Sequence, residues 1–242
     1  MKPALALLIL FAGPLPGWAG EIGATSRVQY LDNGSAWQEQ SIFVQQTPRP
    51  SAALGLSVQD VRRYGLSANL VTLSATRRLS GGGTVEGLVL HSTGAAYLPE
   101  TGVGAVADTS PWRQVEVRGA LTAKRYATAS SLPAELAISR YTGRAIVTLG
   151  GTLDLSSRFR RAGSVFAQLH ADFGKAGLTA RWGAGREVDF SAPRAWAVSP
   201  QSFGFFSVTY RLTPATALQL SVSRVTGVNA RTGVALELRH GT

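Results

Sequence analysis

Strict alternation of apolar and polar residues, in segments about ten residues long, constrains this chain more than any other feature. From Ser164 to Phe173, the residues Val165, Ala167, Leu169, Ala171 and Phe173 alternate with Ser164, Phe166, Gln168, His170 and Asp172. One face is apolar and the other largely polar, which is the signature of a β-strand. Ten tilted residues are also about what a strand needs to cross a bilayer. The next segment repeats the pattern, with Leu178, Ala180, Trp182 and Ala184 opposite Thr179, Arg181, Gly183 and Gly185. Val71, Leu73 and Ala75, then Val115, Val117 and Leu121, then Leu218, Leu220 and Val222, form further apolar faces. A soluble sandwich alternates too, so alternation does not by itself place the apolar face against lipid.

The amino end speaks to location. Lys2 precedes the apolar run Ala4 to Phe11, followed by Pro14, Pro16 and the small-residue site Gly17-Trp18-Ala19. This is secretory leader grammar, with cleavage expected after Ala19 or Gly20, so that residues 1–19 form a signal peptide and 20–242 the mature domain. An uncleaved anchor needs roughly 20 apolar residues, and the prolines interrupt the run before that length. No later segment approaches a spanning helix, which excludes a helical inner-membrane protein. An exported chain of this kind is soluble, secreted, or built as a barrel. Cysteine is absent, so no disulfide holds the fold, which favours a closed ladder of backbone hydrogen bonds.

Turn signals delimit strands near 24–31, 36–46, 52–63, 66–78, 83–92, 112–124, 132–142, 144–155, 163–173, 176–187, 202–212, 215–226 and 231–241. That makes thirteen, whereas single-chain bacterial barrels have even counts. The expected fold is therefore all-β: one antiparallel up-and-down transmembrane β-barrel of about 12 strands, reached by discounting the weak first segment. The alternative is 14, with Arg186 to Ser191 adding a strand. Tight turns are expected at Gly81-Gly82-Gly83, Thr142-Gly143, Gly174-Lys175 and Thr213-Pro214, and long loops at Thr93 to Pro111 and Phe190 to Gln201. Trp37, Tyr64, Trp112, Tyr126, Tyr141, Phe173, Trp182 and Tyr210 lie near the expected strand ends, where aromatic girdles form. At the carboxyl end, Val234, Leu236 and Leu238 alternate with Ala235, Glu237 and Arg239 as a closing strand. Thr242 and His240 then occupy the phase that an aromatic residue often takes in such barrels. Neither long loop has the character of a linker, so a single domain is expected.

Several segments together resemble the YaiO-like outer-membrane β-barrel family. The resemblance runs through Trp37-Gln38-Glu39-Gln40-Ser41, Arg77-Arg78, the Leu136 to Gly143 stretch ending in Tyr141-Thr142-Gly143, and Gly183-Ala184-Gly185-Arg186-Glu187. It implies a bacterial outer-membrane location and carries no catalytic residues.

Charge adds a second constraint. The formal net charge is +10 and the pI about 10.8, with twenty-one Arg and three Lys. Basic balance marks nucleic-acid binding only when it clusters on one face, and here the arginines are scattered over an exported chain with no recognition motif, so no nucleic-acid partner is expected. In a barrel, arginines near loops suit the anionic phosphates of surface lipid and lipopolysaccharide, because guanidinium is a planar two-point donor. Arginines on polar strand faces point inward. Following the alternation, the expected lumen residues are Glu116, Arg118, Glu135, His170, Asp172, Arg181, Arg211, Glu237 and Arg239. A lumen of both signs either closes itself with ion pairs or lines a narrow polar pore.

Catalysis finds little footing. His91 and Ser92 are adjacent, and adjacent strand residues point to opposite faces, so neither serves the other as base and nucleophile. Ser92 with His170 is the remaining pairing. His170 and Asp172 share one strand face, but three histidines and no cysteine make a poor metal set. The glycine-rich Ser80 to Gly83 lacks the following helix that a phosphate cradle needs. No cofactor is expected. The leading expectation is a non-enzymatic outer-membrane barrel, either a narrow pore or a structural element, assembled by the outer-membrane machinery. The alternatives are a lipid-modifying outer-membrane enzyme and a soluble exported β-sandwich binding module.

Overall fold

The computed structural model describes residues 19–94, 96–159, 161–192 and 195–241. Residues 1–18 of the expected leader 1–19, and Thr242, lie outside these residues, while Ala19 is the first residue of the first strand. Among the described residues fifteen strands follow one another: β1 (Ala19–Leu31), β2 (Ala36–Arg49), β3 (Ala52–Arg63), β4 (Leu66–Arg78), β5 (Thr84–Thr93), β6 (Thr101–Trp112), β7 (Val115–Arg125), β8 (Ser130–Ser131), β9 (Pro133–Thr142), β10 (Ala145–Asp154), β11 (Gly163–Asp172), β12 (Ala176–Ala192), β13 (Ala195–Arg211), β14 (Thr216–Thr226) and β15 (Arg231–Gly241). Fourteen pair with their neighbours into a closed antiparallel ring, while the two-residue β8 only extends the end of β7. Strands β1 and β15 join from Glu21 opposite Gly241 to Leu31 opposite Arg231. The ring is continuous through β6 and β7 and through β7 and β9, so the main sheet has no free edge.

The strand count is the alternative of fourteen, not the favoured twelve. The first segment is a full strand, paired along its length with β2 and β15. The strand that sequence reasoning missed is β6, which occupies most of the expected Thr93 to Pro111 loop and leaves a connection of only 94–100. Its alternation is muted because Gly102 and Gly104 stand where inward side chains would be. The space beside them is filled from the neighbouring strands, by Leu90 and Thr122. Arg186 to Ser191 adds no separate strand, since it continues β12. The expected Phe190 to Gln201 loop is instead the two arms of the β12–β13 hairpin, paired as far as Phe190 opposite Trp196 and Ala192 opposite Ala195.

The short turns fall where glycine and proline predicted them. Gly82, Gly143 and Gly174 hold φ of 85°, 60° and 82°, which a residue without Cβ adopts freely. These turns share one end of the barrel with the start of β1 and the end of β15. The opposite end carries the longer connections 94–100, 126–132 and 155–162, together with the tip of the β12–β13 hairpin. Outer-membrane barrels show the same asymmetry, with short turns on the periplasmic side and long loops outside.

Side-chain exposure settles which face meets lipid. Val103, Leu136, Leu149, Val165 and Leu220 point outward and are all more than half exposed. Their inward neighbours Val106, Ala137, Phe166 and Ser221 are buried. A wall of exposed aliphatic side chains exceeds any patch a soluble monomer tolerates, and each such side chain gains about 1.5–3 kcal/mol on full burial in hydrocarbon. Ring closure together with this outward apolar wall excludes the soluble β-sandwich. Of the aromatic residues expected in girdles, Trp112, Phe173 and Tyr210 do face outward near the short-turn end, and Trp182 faces outward on the wall. Trp37, Tyr64, Tyr126 and Tyr141 are engaged in contacts inside the barrel or at its long-loop mouth.

Candidate functional site: the barrel lumen

Register carries the inward parity from strand to strand. In β11, Ser164, Phe166, Gln168 and His170 face in; opposite them stand Gly185, Gly183, Arg181 and Thr179 of β12, and opposite these Gln201, Phe203, Phe205 and Ser207 of β13. By the same bookkeeping Glu116, Arg118, Glu135, His170, Asp172, Arg181, Arg211, Glu237 and Arg239 all lie on the inner parity of their strands.

These nine residues form several separate groups. The Arg118 guanidinium lies 3.4 Å from Asp108 and 4.0 Å from Glu135. Tyr141 donates its hydroxyl to Glu116 at 2.9 Å. Arg211 meets Asp172 at 3.5 Å, and Arg239 sits between Glu237 and Glu21. His170 Nδ1 is 2.9 Å from the Thr179 hydroxyl, so His170 and Asp172 share a face but take different partners. Among the described residues no cluster of three metal-ligating side chains exists. Ser92 donates to the Pro99 carbonyl at 2.6 Å near the long-loop end, whereas His170 lies two residues from the short-turn end of β11, so the two do not meet. His91 faces outward.

Sequence reasoning missed the cluster nearest the long-loop mouth. Glu39, with a side chain only 11% exposed, accepts from Arg63 at 2.6 Å and from Arg27 at 3.3 Å. The Arg63 guanidinium also lies 4.7 Å from the Trp37 ring centre and 5.7 Å from that of Tyr97, so the ion pair is capped by aromatic faces. Tyr97, from the 94–100 loop, packs on Val61 and Ala68 and donates its hydroxyl to the Val61 carbonyl at 2.9 Å. Burial pushes the Tyr97 phenol above its ordinary pKa, with Arg63 opposing the shift.

Trp196, on the β13 arm of the long hairpin, packs against this same cluster. Strand β13 lies five and six places round the ring from β3 and β4, so the contact spans the mouth. Trp196 also meets Tyr126 edge-on with ring centres 4.4 Å apart and Phe159 at 6.1 Å, each from a different long-end connection. Burial raises the Tyr126 phenol to about 12. A signal for the mouth cluster was present in Trp37, Glu39, Ser41 and Phe43, which alternate with Gln38 and Gln40. Polarity labels both sides ambiguously there, and only pairing identifies the inner one.

The lumen is therefore uneven along its axis. Toward the short turns the side chains of Arg211, Arg239, Arg118 and Asp172 stay wet, at 60%, 49%, 46% and 46% exposed despite facing inward, while the partner acids Asp108 and Glu237 are 22% and 17% exposed. Toward the long loops Trp37, Glu39, Val61 and Tyr97 are buried. Beside this cluster, in the long-loop half, lies a cavity of about 280 Å³ whose lining includes Arg27, Gln29, Gln201, Phe203, Ser221 and Arg231.

In sequence the chain matches no family profile and no curated relative at a significant level. In structure it is similar to outer-membrane proteins. The Acinetobacter baumannii outer membrane protein Omp33 superposes with a TM-score of 0.60 at 10% identity, covering 93% of this chain and 99% of that one. The KdgM porin, solved in complex with disordered oligogalacturonate, gives 0.53 at 8% identity, covering 91% and 98%. A triple mutant of the Rhodopseudomonas blastica porin gives 0.53 at 11%, covering 93% and 100%. At these identities the likeness establishes the fold, and the chain has the closed antiparallel β-barrel architecture of outer-membrane porins.

Proposed function

We propose that the chain is a non-enzymatic, porin-like channel of the bacterial outer membrane, passing small polar solutes through a narrow water-filled lumen. The observation that carries this reading is the wetness of the inward-facing arginines Arg118, Arg211 and Arg239 in a fourteen-stranded ring. Eight-stranded barrels fill their interiors with side chains, and sixteen-stranded porins leave an aqueous channel. Here the half-exposed charges at Arg118, Arg211 and Arg239 mark an interior that is not packed shut. The aromatic roof around Trp196 narrows the long-loop mouth and limits solute size.

A second reading, a structural barrel closed by ion pairs, draws on the buried Glu39 clamp. Planar-bilayer recording on the refolded mature protein separates the two. Discrete conductance steps support the pore, and their absence from protein that shows heat-modifiable migration supports the closed barrel. Within this reading, residues 1–19 are a cleaved leader, tested by the mass of the amino terminus of membrane-extracted protein. The exposed outward arginines Arg62, Arg125 and Arg186 near the long-loop end meet the phosphates of lipopolysaccharide. Insertion proceeds through the outer-membrane assembly machinery. The narrower YaiO-like assignment rests on the motif stretches from Trp37 to Glu187, of which Trp37 and Glu39 belong to the mouth cluster.

A further inference from the structure

We infer that Arg181 is the anion-selecting residue of the lumen, a fixed cation past which small anions travel in preference to cations; the inference rests on the pore reading above. The argument begins with two glycines. A Cβ at Gly150 would stand 2.5 Å from the Phe166 ring, and one at Gly183 would stand 2.3 Å from the Phe203 ring. Both rings therefore lie close over the wall at positions where the strand has no side chain. The Arg181 guanidinium rests on this surface, 3.8 Å from the Phe166 ring centre and 5.6 Å from that of Phe203. Stacking of this kind orders the cation without neutralising it.

Neutralisation distinguishes the other ion-paired lumen arginines. Arg27 and Arg63 share Glu39, Arg118 has Asp108 and Glu135, Arg211 has Asp172, and Arg239 has Glu237 and Glu21. Among the described residues Arg181 has no carboxylate partner, and its buried Nε has no hydrogen-bond acceptor. Its cross-strand neighbours are Gln168 and Phe205. Strands β13 and β14 contain no acidic residue at all. On β12 the first acid, Glu187, lies six residues on, about 20 Å along the strand. On β11 the one acid, Asp172, belongs to Arg211. One sector of the inner wall thus presents an oriented positive charge that no carboxylate among the described residues pairs with.

Reversal potentials across planar bilayers under a potassium chloride gradient test this. Wild-type channels are expected to pass chloride over potassium, and Arg181→Gln should lower that ratio about twenty-fivefold, since one unit charge at about 4 Å in water favours the anion about fivefold and disfavours the cation about fivefold. Arg181→Lys should keep the wild-type sign, and Arg181→Glu should reverse it. Replacing chloride with acetate asks whether the site accepts carboxylates as well as halide, and either preference over potassium supports it. The wild-type preference should also shrink between 0.1 and 1 M salt, as the screening length falls from about 10 to 3 Å, a readout that needs no variant. Conducting channels with the same ratio in Arg181→Gln as in wild type, or a wild type that prefers potassium at low salt, would overturn this inference and leave the pore reading standing. Failure of heat-modifiable wild-type protein to conduct would overturn both.

Discussion

Replacing Glu39 by Gln removes one negative charge and leaves Arg27 and Arg63 facing each other. The carboxylate is 11% exposed and accepts from Arg63 at 2.6 Å and Arg27 at 3.3 Å, while the two arginine side chains are 25% and 43% exposed. Breaking a fully buried pair costs about 3–5 kcal/mol, and an exposed pair is worth at most about 1. With one partner buried and two partly wet, the expected loss lies between, near 2 kcal/mol, which is roughly a thirtyfold change in the unfolding equilibrium. The assay is urea unfolding in lipid vesicles, with Arg63→Gln and the double variant completing a cycle. A coupling of about 2 kcal/mol between Glu39 and Arg63 is expected, because the Trp37 and Tyr97 rings hold the guanidinium against the carboxylate. A coupling below about 0.5 kcal/mol, the usual additivity error, would refute the claim that this clamp holds the mouth cluster together.

Gly183→Ala would place a methyl group 2.3 Å from the Phe203 ring and 2.7 Å from the Val165 carbonyl oxygen. It should destabilise the barrel by about 1–3 kcal/mol and lower single-channel conductance as the ring is driven into the lumen. Trp196→Ala removes the ring that bridges Tyr126, Phe159 and the Tyr97 cluster, so single-channel conductance should rise while strand content by circular dichroism stays the same. Tyr126, held at about 12, should remain a phenol when exposed tyrosines ionise near 10. Its contribution to stability is complete below about pH 10 and is lost as pH rises toward 12, which ultraviolet titration alongside unfolding measurements would detect.

The face that each of the nine expected lumen residues occupies follows from alternation, because a side chain two residues along a strand must return to the same side. The glycine and proline turns were equally legible, since φ near +60 to +85° at Gly143, Gly174 and Gly82 is a local property of the backbone. Strand number was not. Strand β6 carries glycine where its neighbours Leu90 and Thr122 supply the bulk, so its membership in the sheet is written partly in other strands. The phenylalanines were harder still. Phe166 and Phe203 face inward against the polarity rule, and the rule fails there because Gly150 and Gly183, distant in sequence, make room for the rings.

Exposed hydrocarbon on every second residue and the demand that each backbone amide find a mate were thus decided by the sequence, through the local geometry of strands. Partnership was decided by the closed ring. Glu39 acquires Arg63 from the next strand, Trp196 reaches the Tyr97 cluster across the mouth, and Arg181 meets no carboxylate among the described residues. Which charges cancel depends on pairing register and on the breadth of the cylinder, neither of which exists until the fourteenth strand joins the first thirteen.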